Sequence, residues 1–234
     1  MNLPKSYSKN ERIQNLIKNL DTEGGINKVD EDGLRPIDVA TLFGQLELVK
    51  ILLEKGASAS PFADGSSPLH LASALGHLGI VQLLLESPSG KSALNAKQME
   101  SGRCPIHWAV QEKQLPIIKF LISSGANIEV QCIDGITPLQ AASSGNDFEC
   151  VKLLLESGAN PNALCIDKEK KNHGTALHAA SAWNSIESAE ALLAHGADVE
   201  SRDEDGLRPI DFAIMYDLKE MIKLLSQRTN PRFN

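Results

Sequence analysis

Cys104 and His107 stand three residues apart, a spacing that at a helix start brings a thiol within reach of an imidazole, and a Cys–His pair is the minimum for nucleophilic catalysis. Two other groupings raise similar questions. His173 and His178 are five residues apart, the wrong step for two metal ligands on one helix face, and no third ligand is near them in sequence. The runs Asp30-Glu31-Asp32 and Asp203-Glu204-Asp205 have the composition of a calcium loop but lack its alternating ligands and closing glutamate. Cys104, Cys132, Cys150 and Cys165 are separated by 28, 18 and 15 residues, which is no zinc spacing, and they read as thiols of a reducing compartment.

The elements that carry these residues recur along the chain, and the recurrence decides their meaning. A turn, a proline and a small-residue helix appear as GLRPIDVA (33–40), GSSPLHLA (65–72), GRCPIHWA (102–109), GITPLQAA (135–142) and GLRPIDFA (206–213). A sixth copy, GTALHAA (174–180), has Ala176 at the proline position, and the successive spacings are 32, 37, 33, 38 and 33 residues. Proline suits the first helical position because its missing N–H would be unpaired there anyway. Each copy is followed by a more apolar segment with helical spacing, such as ELVKILLEKGA (47–57) and FECVKLLLESGA (148–159), closed by Gly56, Gly125, Gly158 or Gly196 at a left-handed cap. His70, His107 and His178 occupy one slot of this repeat, so His107 is accounted for without catalysis, and no catalytic residue is assigned.

These residues resemble the ankyrin-repeat family. Ser67-Pro68-Leu69-His70, Thr137-Pro138-Leu139-Gln140, Gly158-Ala159-Asn160-Pro161-Asn162 and Gly196-Ala197-Asp198-Val199 carry the match, which covers roughly residues 30–226. The resemblance implies an all-α solenoid of stacked helix-turn-helix units with hairpin-like loops, in which the slot histidine bonds to the turn of an adjacent repeat. The expected organisation is an N-terminal capping half-repeat over 1–29, six repeats at about 30–61, 62–98, 99–131, 132–164, 165–202 and 203–226, and a polar, frayed tail over 227–234. Ser8 and Glu11 form a capping box ahead of the stripe Ile13, Leu16, Ile17 and Leu20. The string DEDGLRPID occurs at 30–38 and 203–211, and its Arg–Asp pairs, Arg35 with Asp38 and Arg208 with Asp211, suit exposed ends of the stack. The longer spacings put insertions near 88–100 and 164–173, the second carrying Lys168, Lys170 and Lys171.

A net charge of −7 and a pI near 5.4 argue against nucleic-acid and anionic-membrane partners, which need a basic surface. No signal-like or membrane-spanning apolar run is present, so a cytoplasmic or nuclear location is expected. No cofactor is implied. The family resemblance implies that another protein or peptide binds a concave groove lined by loop tips and first helices, and a monomer is expected. The groove reading takes Leu42, Phe43, Leu75, Trp183, Met215 and Tyr216 near the ends of first helices as apolar anchors. It adds Ile136 and a polar middle of Arg103, Gln111 and Glu112. The competing reading has Phe43 and Tyr216 cover the ends of the core and Trp183 pack on the 164–173 insertion. The expected role is a non-enzymatic adaptor, scaffold or inhibitor. Alternatives are a substrate-selecting subunit of an enzyme complex such as a ubiquitin ligase, or a bacterial-type effector acting on host proteins. Asn162 resembles the sites that asparaginyl hydroxylases modify.

Overall fold

The structure, a computed structural model, describes Ile13, Gln14 and residues 25–229. The cap expected around Ser8, Glu11, Leu16, Ile17 and Leu20 lies outside the described residues. Among those described, the regular structure is helical, with one 3-10 turn at Gly25–Asn27 and a single isolated antiparallel bridge between Ile166 and Asn172.

Two compact units divide at Ala96 and Lys97. The first contains α1 (Pro36–Leu42), α2 (Leu46–Glu54), α3 (Pro68–Leu75), α4 (Leu78–Glu86) and α5 (Pro88–Lys91). The second contains α6 (Pro105–Gln111), α7 (Leu115–Ser123), α8 (Pro138–Ser144), α9 (Phe148–Glu156), α10 (Ala176–Ala182), α11 (Ile186–Ala194), α12 (Pro209–Met215) and α13 (Lys219–Thr229). The short helix α5 lies inside the stretch expected to be loop. Ser87 caps it, its Oγ accepting the Gly90 N–H at 3.0 Å. Helix α13 runs three residues past Ser226, into the stretch expected to fray.

Every first helix begins at the proline slot from an extended N-cap residue. These helices have seven or eight residues, below the roughly 12–15 needed for an isolated helix to persist in water, so neighbours must hold them. First helices pack on first helices and second on second: α1 on α3 and α2 on α4 in the first unit, α6–α8–α10–α12 and α7–α9–α11–α13 in the second. The fourth residue after each helix start is alanine, at Ala40, Ala72, Ala109, Ala142, Ala180 and Ala213, and all six are buried. A methyl there lets adjacent first helices approach closely, while Leu52, Leu84, Leu121 and Leu154 from the second helices fill the space behind.

Candidate functional site

The slot three residues into each first helix joins one repeat to the next. His107 Nδ1 accepts the Cys104 N–H at 3.2 Å, and Nε2 lies 3.1 Å from the carbonyl oxygen of Ile136 in the following turn. His178 does the same with the Thr175 N–H at 3.0 Å and the Leu207 carbonyl at 3.1 Å. His70 Nε2 reaches the Ala96 carbonyl at 3.1 Å. Since Nδ1 of His107 and His178 accepts from backbone, Nε2 carries the proton and the ring is neutral. Burial holds His107 down to a pKa of about 4, against the opposing pull of the Ile136 carbonyl, and lowers His178 as well. Gln140 performs both tasks with an amide, accepting from Thr137 N at 2.8 Å and donating to the Ala163 carbonyl at 2.9 Å.

In the first repeat the two tasks are split, because a carboxylate accepts but cannot donate. Asp38 Oδ2 takes the Arg35 N–H at 3.0 Å and Arg35 Nε–H at 2.8 Å, and Arg35 Nη1 donates to the Ser60 carbonyl at 2.9 Å. The guanidinium also lies 4.0 Å from the centre of the Phe62 ring. The expectation of an exposed end is corrected here: Arg35 is 7% and Asp38 1% exposed, because the 57–67 segment covers them. The same string in the last repeat keeps the Arg208–Asp211 pair at 3.2 Å with both side chains partly exposed, and Arg208 Nη1 turns to Glu200 at 3.4 Å. The two aspartates titrate in opposite directions. Burial raises the Asp38 pKa despite Arg35, whereas the hydrogen bonds from Arg208 lower that of Asp211.

No nucleophile forms at Cys104. His107 Nδ1 is occupied by backbone, and burial pushes the thiol up to about 11, which leaves no thiolate at neutral pH. The four cysteines are buried and none is in a disulfide. His173 pairs with Asp167 at 2.9 Å while His178 faces Leu207, so the two imidazoles serve different partners. Among the described residues no cluster of three metal-ligating side chains occurs. Asn162 is exposed, but its amide bridges to the next repeat, donating to the Gly196 carbonyl at 2.9 Å and accepting the Asp198 N–H at 2.8 Å.

The row at the ends of the first helices is shifted by one residue from expectation. Phe43, Glu112, Gly145, Trp183 and Tyr216 are C-cap residues beyond the helix, and only Leu75 is a last helical residue. In the first unit Leu42 and Phe43 are half-buried and Leu75 is exposed. In the second, Trp183 is 66%, Met215 60% and Tyr216 57% exposed. Tyr216 therefore does not seal the core, and Trp183 is not packed on the insertion, which meets the opposite end of α10. Arg103, Gln111 and Glu112 are brought together: Arg103 Nη1 donates to Gln111 Oε1, and Gln111 Nε2 to Glu112 Oε1 at 3.3 Å. The Arg103 guanidinium also lies 5.3 Å from the centre of the half-buried Trp108 ring.

A cleft of about 200 Å³ opens along α10, between α8, α12 and the 165–173 hairpin. Ile136, Ala179, Ala182 and Phe212 give it its apolar wall groups; Gln140, Ser144, Thr175, His173 and His178 are its polar lining, with Cys165. The turn containing Gly135 shapes this wall. Gly135 has φ +76°, and a Cβ there would stand 2.3 Å from the backbone of Ile166. Gly206 has the same φ with nothing within 4 Å. Alanine at either position is expected to cost about 1–2 kcal/mol for the left-handed backbone. At Gly135 the overlap adds a further ~1–3 kcal/mol, and urea denaturation of the two variants measures the difference.

A family model described as ankyrin repeats matches in overlapping segments that together run over residues 6–234. The chain belongs to the ankyrin-repeat family. Two solved ankyrin domains share its fold. One is the ankyrin repeat domain of Bcl-3, described as a unique member of the IkappaB protein family, at TM-score 0.74 and 25% identity over 91% of both chains. The other is the human ASB11 ankyrin repeat domain, at TM-score 0.73 and 27% identity over 93% of this chain and 94% of that one. Human Rabankyrin-5 is 30% identical over 129 residues, which is 55% of this chain but 9% of that protein. A putative ankyrin repeat protein of fowlpox virus, FPV223, is 28% identical over 133 residues, 56% of this chain and 88% of that one. The match to the first curated relatives thus spans about a tenth of their length.

The ankyrin fold is that of a protein–protein interaction module, and the expected all-α solenoid class is the observed one. No helix among the described residues is long and apolar enough to cross a membrane. Ile214, 56% exposed, is absent from the groove expected from sequence. Its slot in the preceding ankyrin repeat is Ser181, fully buried under α12, so position in the last repeat was the available clue. Ala179 and Ala182 were missed because small residues in first helices read only as packing, and Phe212 because an aromatic in the middle of a first helix reads as core.

Proposed function

We propose that this chain is a non-enzymatic ankyrin module, an adaptor, scaffold or inhibitor, that binds a partner protein through the first-helix ends and the cleft of its second unit. The carrying observation is that Trp183, Met215 and Tyr216 lie open to solvent beside the apolar cleft, in a chain with two tryptophans and two tyrosines. Exposed aromatics beside a pocket are what interface anchors are made of, because they remove large apolar area from water at little conformational cost. Trp183 and Tyr216 hold the same slot of neighbouring repeats, so one partner segment can meet both.

Trp183→Ala leaves the core untouched and is expected to melt like the parent. It should lower partner affinity by about 2 kcal/mol, roughly thirtyfold. Proteins retained from a cell extract by the immobilised parent and by the variant, compared quantitatively beside circular-dichroism melts, provide the measurement. Equal retention by a folded variant would overturn this reading.

A further inference from the structure

We infer that the occupant of the α10 cleft is an extended basic peptide, with an aliphatic side chain seated on Ala179, Ala182 and Phe212 and a lysine or arginine two residues away over Trp183. The inference rests on the protein-binding reading above and adds the chemistry of the partner.

Three observations carry it. The wall formed by Ala179, Ala182 and Phe212 is apolar, and the slot groups beside it are already used: Gln140 and His178 spend their donors on the carbonyls of Ala163 and Leu207. An aliphatic side chain on this wall loses only water, whereas a polar one would have to give up water against three apolar groups. Next, the charge around the Trp183 end is negative. Between residues 183 and 190 and between 216 and 220 the charged residues are Glu187, Glu190, Asp217, Glu220 and Lys219, all exposed. An exposed indole in a segment of net negative charge attracts a cation through its π-electrons and through charge together. Last, the distances agree. Ala179 stands four residues before Trp183, the C-cap of α10, a separation of about 6 Å along the helix axis. Side chains two apart on one face of an extended chain are separated by about 6.6 Å.

Lys168, Lys170 and Lys171 do not reverse this sign. They belong to the hairpin at the other end of α10, about 10 Å away by helix length. Lys171 pairs there with Glu169 at 3.3 Å, and the acidic 203–205 turn joins the hairpin through the bond from Glu204 N to the Asn172 carbonyl at 2.8 Å.

The test is a positional-scanning library of acetylated, amidated hexapeptides bound to the full chain, to Trp183→Ala and to the double variant Glu187→Gln, Asp217→Asn. The parent is expected to enrich Lys or Arg at one position and Leu, Ile, Val or Met two positions away. Trp183→Ala should lose the basic preference. The charge variant, with an unchanged melt, should weaken it about fivefold while keeping the aliphatic preference. Enrichment of acidic or uncharged residues opposite the aliphatic one, or a basic preference untouched in both variants, overturns the inference and leaves the protein-binding reading standing. No enrichment at any position with the folded parent overturns both.

Discussion

Arg35→Ala should destabilise the protein by about 3–5 kcal/mol at neutral pH, the largest effect expected of any single polar substitution here. The loss comes less from the missing ion pair than from what remains behind. Asp38 is 1% exposed, and without Arg35 its carboxylate keeps only a backbone partner in a site that excludes water. The Ser60 carbonyl also loses its donor. Because burial already raises the Asp38 pKa and Arg35 supplies the opposing pull, the variant's pKa must rise further. Between the unfolded value of 3.8 and that raised value the folded state holds more protons than the unfolded one, so acidification stabilises the variant relative to the parent. The gap between the two melting curves should therefore narrow as pH falls towards 4. Arg208→Ala is the control: its partner is partly exposed, and the melt should barely move. Replacing the pair by the Thr and His used at positions 175 and 178 should recover much of the loss, since one imidazole can do both tasks.

His107→Gln should remove a pH-dependent loss of about 3 kcal/mol that the parent suffers between pH 7 and pH 4. The folded ring titrates at about 4 and the unfolded one near 6.5. The stabilisation is complete above 6.5. It declines as the unfolded state takes up its proton and is gone once pH has fallen through the folded value. Glutamine has no such proton, and Gln140 already shows that an amide spans the same two partners. At pH 7 the variant should therefore differ little from the parent, while urea midpoints at pH 4.5 should favour the variant. Equal acid sensitivity of the two proteins would remove His107 from this role.

The repeat was legible because its markers answer to backbone geometry. Pro68 and Pro105 open helices, and Gly135 and Gly158 hold positive φ, whatever surrounds them. Helix ends were read less well, since nothing in the periodicity tells Leu75, inside its helix, from Phe43, just beyond. Burial was illegible where it depends on a neighbour. Arg35 and Arg208 sit in identical strings, yet one is covered by the next turn and the other is half open. The cleft was out of reach for the same reason, because three helices and a hairpin contribute to it and no local pattern announces their meeting.

The bonds that the slot side chains make to the next repeat run one way: the donor lies in the earlier repeat and the acceptor 23 to 29 residues later, in the turn that opens or follows the next. During synthesis, then, a repeat leaves the ribosome with its joining donor unmet, and it is completed only when about another repeat's length of chain has emerged. Folding of the array trails translation by one unit, and a pause that falls after a first helix has left the ribosome but before its acceptor turn has would hold a half-satisfied helix in the open for as long as the pause lasts.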